Sequence, residues 1–478
     1  MQTNMKFKLS FLFIFLSASL FAQQNKFIGI WEGKINAGVS LRIVFNFMQD
    51  SRGDFYSTMK SPDQSPVELK ADRTFLNNDS VFTEIEKFKV SFSGKLINDS
   101  TIDGTFTQGV DIPLKLKKVE KISDALPKTE KPQTPKPPFN YKSEVVQYSN
   151  ADKSISFGGT VTIPNGNGPF PAILLITGSG AQNRDEEILG HKPFAVLADF
   201  LTKKGFIVLR VDDRGVGKTT GDANNATSVD FAKDVNTSLD YLKARKETDV
   251  KKIGLMGHSE GGMIAPMVAT QRNDINFIVL LAGPGVKIID LMTGQNIAFL
   301  NSAGISKKAQ YAYGGLYKRL ATAIAFEKDS ISGNHSTNKI INNWLKKTDT
   351  TLLRELSLTS KEQQHNQFAA FSKIMRLPWF KYFLSYNPEP ALKKLKCKVL
   401  ALNGDKDIQV ISKQNLSGIR RALLKSKSPK YDVMEMPGLN HLFQTCKTCT
   451  VQEYGELEET FSPKALEVIG DWLIRNVK

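Results

Sequence analysis

The serine at position 259 lies in the pattern Gly-His-Ser-Glu-Gly, which occupies residues 257–261. An apolar strand pattern, residues 252–256, precedes it, and a helical pattern follows. When a strand turns this tightly into a helix, the positions two before and two after the serine must lack side chains, and Gly257 and Gly261 meet that requirement. We therefore predict that Ser259 presents a free nucleophilic hydroxyl.

A serine hydroxyl is a weak nucleophile until a base removes its proton, so a histidine must lie close to it. The chain has five histidines, which are His191, His258, His335, His365 and His441. Where a serine occupies this kind of turn, the order along the chain is serine, acid, histidine. Only His441 follows a late strand pattern, residues 431–436. We predict that His441 is the base.

The acid that orients such a histidine is expected directly after the penultimate strand pattern, residues 399–402. Two aspartates follow that pattern, Asp405 and Asp407. Asp407 lies three residues beyond the turn residue Gly404, and we predict that it is the acid. Asp405 is the alternative, and its other possible role is to form the turn.

Attack on a carbonyl group creates a negative oxygen that two backbone N–H groups must stabilise. One N–H group is expected at Glu260, directly after the nucleophile, and the other in the loop after the third strand. In that loop Ser179 is the first candidate and Gly180 the alternative. No cluster of His, Asp or Glu has the spacing of metal ligands, so we predict neither a metal nor a cofactor.

The elements that position these residues begin at about residue 141. Continuous apolar runs occupy residues 172–176, 206–209, 277–281 and 399–402. Such runs are typical of strands buried on both faces of a parallel sheet. Helical patterns lie between them, so the sequence predicts a mostly parallel sheet with helices on both faces.

Residues 286–392 interrupt this alternation with a mostly helical pattern. The segment contains five aromatic residues within eight positions, which are Trp379, Phe380, Tyr382, Phe383 and Tyr386. Because strand patterns flank the segment, it should project from the carboxyl ends of the strands, where open sheets bind ligands. We predict a helical lid in which one or two of these aromatic side chains face Ser259, while at least three pack the lid against the sheet.

The first 140 residues are organised differently. Residues 1–22 combine two lysines with an apolar run too short to span a membrane, which predicts a cleaved signal peptide and an exported, periplasmic or extracellular protein without a stable membrane anchor. Residues 23–120 alternate with period two, which indicates a small antiparallel barrel or sandwich. Five prolines in residues 121–140 predict an extended linker to the remainder, residues 141–478.

The charge of the chain bears on whether it binds nucleic acid. The chain has 64 basic and 48 acidic side chains, a net charge of +16, and its densest basic stretch, residues 391–430, lacks the interleaved aromatic residues that stack on bases. We therefore expect a solvated basic surface and no nucleic-acid partner. The sequence does not indicate an oligomeric state.

Cys446 and Cys449 are predicted to form a local disulfide, with two free thiols as the alternative.

Taken together, these motifs resemble those of α/β-hydrolases, and in particular of secreted bacterial carboxylesterases. The resemblance covers residues 141–478. It rests on the Gly-Ser-Gly and Asn-Arg-Asp-Glu runs within residues 178–186, the Asp-Asp-Arg-Gly-x-Gly run at 212–217 and the Gly-His-Ser-Glu-Gly-Gly run at 257–262. It implies an α/β-hydrolase fold with a helical lid, preceded here by a small antiparallel all-β domain.

The resemblance also implies a catalytic triad of Ser259, Asp407 and His441. The expected reaction is hydrolysis of a small-molecule carboxylic ester with a short acyl group, through an acyl-enzyme. A peptidase of the same fold is the first alternative, because Glu260 or Arg184 could bind the charged terminus of a peptide. A catalytically inactive, glycan-binding surface protein is the second.

Overall fold

The computed structural model describes residues 26–36, 40–62, 68–108, 110–121, 131–223 and 225–478. The predicted signal peptide, residues 1–22, lies outside them. The chain divides into two compact units, Met1–Thr129 and Glu130–Lys478. Among the described residues, no helix has the length and apolar character needed to cross a membrane.

The described part of the first unit forms one antiparallel sheet. Its strands are β1 (Gly29–Asn36), β2 (Ser40–Gln49), β3 (Phe55–Lys60), β4 (Leu69–Lys70), β5 (Arg73–Asn77), β6 (Ser80–Ile85), β7 (Val90–Asn98), β8 (Thr101–Gln108) and β9 (Val110–Val119). Their order is β4-β3-β2-β1-β9-β8-β7-β6-β5. The two ends of this order meet, since Ser57 Oγ in β3 lies 2.8 Å from Thr74 Oγ1 in β5. The sheet therefore curves into a barrel, one of the two predicted forms.

Large apolar side chains fill the interior of this barrel. Fully or almost fully buried aromatic residues come from several strands, and they are Trp31, Phe45, Phe47, Phe92 and Phe106. Phe45 stacks on Phe92 with ring centroids 5.1 Å apart. The indole Nε1 of Trp31 donates a hydrogen bond of 2.6 Å to the carbonyl oxygen of Phe27. Each of these rings buries a large apolar surface, which makes the interior a packed core.

The second unit is built on a sheet of eight strands among its described residues. They are β10 (Lys142–Ser149), β11 (Ser156–Ile163), β12 (Phe170–Ile176), β13 (Ile207–Val211), β14 (Thr248–His258), β15 (Ile275–Leu281), β16 (Lys398–Gly404) and β17 (Tyr431–Met436). Their order is β10-β11-β13-β12-β14-β15-β16-β17. The first two pairs, β10 with β11 and β11 with β13, are antiparallel, and all later pairs are parallel.

Helices cover both faces of this sheet. The helices are α1 (Pro193–Lys203), α2 (Ser228–Lys243), α3 (Glu260–Ala269), α4 (Ile288–Ser302), α5 (Lys307–Ala325), α6 (Ser330–Lys347), α7 (Thr350–Glu355), α8 (Lys361–Met375), α9 (Pro378–Ser385), α10 (Glu389–Lys394), α11 (Ser412–Leu423) and α12 (Pro463–Val477). Alternate residues of β12 point to opposite faces: Leu174 joins the core beneath α2, α3 and α11, and Leu175 the core beneath α1 and α12. Two buried faces explain the continuous apolar runs, and the predicted fold class is confirmed.

The segment between β15 and β16 is helical and contains α4 to α10. Part of it has a core of its own, in which Leu316 of α5, Trp344 of α6 and Phe368 of α8 pack together. Because the segment leaves the sheet after Leu281 and returns at Lys398, it covers the carboxyl ends of the parallel strands. This is the place and the secondary structure predicted for the lid.

The second half of the predicted linker, residues 131–140, makes hydrogen bonds to residues near the end of the chain. Lys131 Nζ donates hydrogen bonds of 2.8 and 2.7 Å to the carbonyl oxygens of Gly455 and Leu457. Gln133 Nε2 donates to the carbonyl oxygen of Phe461 at 2.8 Å. Residues 131–140 are therefore held against the second unit, because their polar side chains find partners there, and they do not form a free spacer.

Candidate active site

The turn that carries Ser259 joins β14 to α3. Ser259 has φ +53° and ψ −116°, an uncommon conformation for a residue with a side chain. A Cβ atom at Gly257 would lie 2.1 Å from the carbonyl oxygen of Gly261, and one at Gly261 would lie 2.2 Å from that of Ile176. Neither position can hold a side chain, which is the steric requirement predicted from the sequence.

His441 and Asp407 meet at the carboxyl end of the sheet. Nδ1 of His441 lies 2.8 Å from Oδ2 of Asp407, and both side chains are buried. The other carboxylate oxygen of Asp407 accepts backbone N–H groups from Gln409 and Val410 at 2.7 and 2.8 Å. Because the carboxylate accepts the hydrogen on Nδ1, Nε2 of the neutral ring keeps a lone pair and can act as a base.

Asp405, the alternative acid, lies elsewhere in the same loop. Its Oδ1 accepts the backbone N–H of Gly438 at 2.6 Å, and its carboxylate pairs with Lys406. This bond supports the turn that leads to His441. The structure therefore places Asp407 against the histidine and gives Asp405 the turn-forming role.

Ser259 and His441 line one cavity of about 330 Å³ beneath the lid. Ser179 and Glu260, the predicted donors to the oxyanion, line it too. The N–H of Gly178 already donates to Glu186 Oε1 at 2.6 Å, and Gly180 does not line this cavity. Of the two candidates in that loop, Ser179 is the one that lines the cavity.

The Glu260 side chain is buried beneath the lid. Its Oε1 accepts hydrogen bonds from Ser228 Oγ at 2.6 Å and from Trp379 Nε1 of the lid at 2.9 Å. Burial raises the pKa of this carboxyl group, and these hydrogen bonds oppose the rise. The contact between Trp379 and Glu260 was not foreseen from the sequence, since it joins residues 119 positions apart.

The guanidinium group of Arg184 is fully engaged away from the cavity. Nε and Nη2 donate to the two carboxylate oxygens of Asp212, at 2.9 and 2.5 Å. Nη1 donates to the carbonyl oxygen of Gly159 at 2.6 Å. This bidentate pair fixes the loop that carries Arg184 to the end of β13.

Three of the five aromatic residues in the lid cluster line the cavity, and they are Trp379, Phe380 and Phe383. Trp379 stacks on Phe383 with ring centroids 5.1 Å apart. Tyr382 and Tyr386 do not line the cavity. Four of the five rings pack against the core of the sheet, in agreement with the expected three or more, and they are Trp379, Tyr382, Phe383 and Tyr386. One more ring faces the cavity than the one or two predicted, because α9 turns its Trp379–Phe383 side toward Ser259.

A disulfide joins Cys446 to Cys449 in the loop after His441. Among the described residues these two cysteines and Glu453 form the group close enough to share a metal ion. Their sulfur atoms are bonded to each other, however, and the Glu453 carboxylate accepts the backbone N–H groups of residues 447–449. These three residues therefore brace the loop.

Sequence reasoning also missed the surroundings of His258, the residue before the nucleophile. Its ring lies between Glu186 and the backbone of His441, and the ring centroids of the two histidines are 4.8 Å apart. The Asn-Arg-Asp-Glu run that ends at Glu186 was the one signal in the sequence that pointed to this position.

The sequence of the chain is similar to those of known hydrolases. Residues 192–354 match the family model described as serine aminopeptidase, S33. Esterase EstD of Thermotoga maritima is 34% identical over 152 residues, which cover 32% of this chain and 36% of the relative. Cutinase est1 of Thermobifida alba is 28% identical over 152 residues, covering 30% and 45%. The chain thus spans less than half the length of these curated relatives.

Among solved structures, an esterase of Pyrococcus furiosus covers 71% of this chain and 92% of its own, with 16% identity and a TM-score of 0.43. The family match begins at residue 192, directly before α1, and includes β13, β14, β15 and the turn that presents Ser259. Sequence and architecture agree over this stretch. The second unit, Glu130–Lys478, has the α/β-hydrolase fold, with a mostly parallel sheet that helices cover on both faces.

Proposed function

We propose that this protein hydrolyses carboxylic esters through an acyl-enzyme. The observation that carries the proposal is the hydrogen bond from His441 Nδ1 to Asp407, which leaves Nε2 as a base in the cavity that Ser259 also lines. The similarity to an esterase and a cutinase supports the same reaction.

The reaction begins when Ser259 Oγ attacks the ester carbonyl carbon and its proton moves to His441 Nε2. The oxygen that becomes negative accepts the backbone N–H groups of Glu260 and Ser179. The tetrahedral intermediate then collapses, and the alcohol leaves with the proton from His441. Water attacks the acyl-enzyme by the same steps, which releases the carboxylic acid and restores the serine.

Short acyl groups fit this cavity best. Its volume of about 330 Å³ lies near the lower end for ligand sites, and Trp379, Phe380 and Phe383 close it on the lid side. We therefore expect acetate and butyrate esters to react faster than long-chain esters. Lys and Arg do not occur among the residues that line the cavity, so neutral acyl groups are favoured over acyl groups that carry a carboxylate.

The peptidase alternative is weaker. It needs a charged group free to bind the terminus of a peptide, and the two candidates were Glu260 and Arg184. The Glu260 carboxyl accepts hydrogen bonds from Ser228 and Trp379, and Arg184 is committed to Asp212. An inactive glycan-binding protein would have no use for the buried contact between Asp407 and His441.

Export from the cytoplasm is part of the proposal. It is supported by the composition of residues 1–22 and by the disulfide between Cys446 and Cys449, since disulfides persist in oxidising compartments. The acting compartment would be the periplasm or the extracellular space.

The test is covalent labelling with a fluorophosphonate, followed by turnover of an ester panel and an aminoacyl-amide panel. Ser259→Ala should abolish labelling and lower kcat by about 10⁶-fold, while Ser417→Ala, an exposed serine on α11, should leave both unchanged. Labelling that survives in Ser259→Ala would refute the nucleophile. Faster turnover of amides than of esters would favour the peptidase.

A further inference from the structure

Both ring nitrogens of the buried His258 have an oxygen partner. Nδ1 lies 3.0 Å from Oε1 of Glu186, and Nε2 lies 3.0 Å from the backbone carbonyl oxygen of His441. A carbonyl oxygen can only accept a hydrogen bond, so Nε2 must carry a hydrogen. The protonation of Nδ1 then depends on Glu186.

Oε1 of Glu186 acts as a hydrogen-bond acceptor. It accepts the backbone N–H of Gly178 at 2.6 Å, and a carboxylate oxygen that accepts one N–H group can accept a second. Nδ1 of His258 therefore donates to Oε1 as well, and a ring with hydrogens on both nitrogens is an imidazolium. Burial alone lowers the pKa of His258, but the charge and hydrogen bond of Glu186 outweigh it, so the pKa is raised above that of an unperturbed histidine.

We propose that Glu186 and His258 form a buried carboxylate–imidazolium pair that positions the catalytic groups of this hydrolase. The pair ties together three segments: the loop of Ser179 through Gly178, the turn of Ser259, and the loop of His441 through its carbonyl oxygen. Because it concerns the same reaction, this proposal rests on the proposed function. Glu186 has φ +50°, an uncommon conformation for a glutamate, in making these contacts.

Both residues are positioning residues. Both nitrogens of His258 are occupied, so the ring cannot accept the proton of Ser259. The pair also has no net charge, so it fixes the His441 loop without adding a charge beside the base. The titratable groups that face His258 are Glu186 from the loop after β12, Asp407 from the loop after β16, His441 from the loop after β17 and, across the cavity, Glu260 of α3.

Loss of the proton from His258 must break one of its two contacts. If Nδ1 is bare, its lone pair faces the Glu186 carboxylate, and if Nε2 is bare, its lone pair faces the carbonyl oxygen of His441. Because the pKa is raised in the folded protein, the imidazolium is still present at the pH at which an unperturbed histidine titrates, and the pair is lost as the pH rises through the higher, folded-state pKa. We therefore expect kcat/KM to fall on the alkaline side.

His191 serves as a control, since it is also buried but neither ring nitrogen contacts a carboxylate. Its Nδ1 lies 2.8 Å from Thr460 Oγ1, and its Nε2 lies 2.9 Å from the carbonyl oxygen of Tyr454. A hydroxyl can donate to a bare nitrogen, so a neutral ring satisfies both contacts. Burial lowers the pKa of His191 to about 4, which keeps this ring neutral.

The first test is nitrogen-15 NMR of the histidine rings at pH 7, which requires no substrate. His258 should show two protonated nitrogens and His191 one protonated and one bare nitrogen. Glu186→Gln should convert His258 to the neutral form. A bare nitrogen on His258 in the wild-type protein would overturn the proposal, even if ester hydrolysis is confirmed.

The second test is kinetic. Glu186→Gln should lower kcat about 10-fold with little change in KM, because an amide nitrogen that donates to Nδ1 of His258 cannot also accept the N–H of Gly178. It should also remove the alkaline decline, since a neutral His258 can accept from the amide and still donate to His441. His191→Gln should lower Tm but keep the decline. An unchanged alkaline decline in Glu186→Gln would overturn the positioning role.

His258 itself is tested in two variants. His258→Phe removes both contacts and should lower kcat roughly 100-fold. His258→Gln should recover part of the loss, because its amide N–H can reach the carbonyl oxygen of His441. The rate of fluorophosphonate labelling at Ser259 should follow the same order, which separates this proposal from a wrong choice of ester. Equal losses in both variants, with Glu186→Gln unaffected, would contradict it.

Discussion

The two units of this protein use their interiors in opposite ways. In the described part of the barrel, the buried side chains are almost all apolar, with Arg42, Ser57 and Thr83 as the polar exceptions. The hydrolase unit buries many acidic and histidine side chains, which are Glu186, His191, Asp212, His258, Glu260, Asp407, His441 and Glu453. Burying such groups costs free energy unless each has a partner. The barrel interior is thus stabilised by apolar packing, whereas the hydrolase interior depends on hydrogen-bonded partners for its buried ionisable groups.

The largest effect should come from Asp407→Asn. An asparagine can donate to Nδ1 of His441, which would leave the hydrogen on Nε2 and remove the base, so kcat should fall about 10⁴-fold with little loss of stability. Steady-state kinetics and thermal unfolding measure the two effects. Asp405→Asn is the matched control and should affect mainly stability, because it supports the turn at Gly438. Comparable losses of kcat in both variants would contradict the choice of acid.

A substitution in the barrel should lower stability and leave kcat unchanged. Trp31 is fully buried, and Trp31→Ala should destabilise the first unit by about 3–5 kcal/mol while leaving kcat unchanged. Denaturant unfolding followed together with ester turnover separates the two readouts. Phe75→Ala is the control, since Phe75 is 52% exposed and should matter little. Loss of turnover in a Trp31→Ala protein whose second unit remains folded would break the comparison.

Trp379→Phe should have an intermediate effect. It keeps the apolar contacts of the ring but removes the Nε1–H bond to the buried Glu260, so kcat/KM should fall about 10-fold. Initial rates on an acetate ester measure this loss. Tyr382→Phe removes a hydroxyl from a lid residue that does not line the cavity, and it should be neutral. A similar loss in both variants would mean that the hydrogen bond from Trp379 to Glu260 has no specific role in turnover.

The smallest effect is expected for Cys446→Ser combined with Cys449→Ser. The disulfide joins two cysteines only three positions apart in sequence and so closes a very short loop. Its loss should lower the free energy of unfolding by no more than about 2 kcal/mol. In the wild type no thiol should react before unfolding, because the remaining cysteine, Cys397, is buried and burial raises its pKa to about 12. Alkylation followed by intact-mass analysis counts the thiols. Two reactive thiols at positions 446 and 449 would contradict the disulfide.

Local patterns in the sequence predicted what short-range sterics and strand burial determine. The turn at Ser259 follows from two glycine positions, and the sheet follows from apolar runs such as residues 172–176. The choice of Asp407 and His441 depended on their order along the chain, which local sequence can show. These predictions needed no knowledge of distant contacts.

Contacts between distant residues were beyond sequence reasoning. The bond from His258 to Glu186 joins residues 72 positions apart, and no periodicity links them. The proline content of residues 121–140 predicted an extended linker, but only the partners of Lys131 and Gln133 show that residues 131–140 are held in place. The number of aromatic rings that face the cavity likewise depends on how α9 packs.

The contacts of Lys131 and Gln133 also have a consequence for the order of folding. They link residues 131 and 133, at the start of the hydrolase unit, to residues 324 to 328 positions later. These hydrogen bonds, which we call the seam, therefore close a loop that contains almost the whole unit. Closing so long a loop is entropically unfavourable until the intervening chain has folded. During synthesis this seam can form only after residue 461 has emerged, when the barrel, complete by residue 119, has long been able to fold. The first residues of the hydrolase unit are thus among the last to reach their native positions.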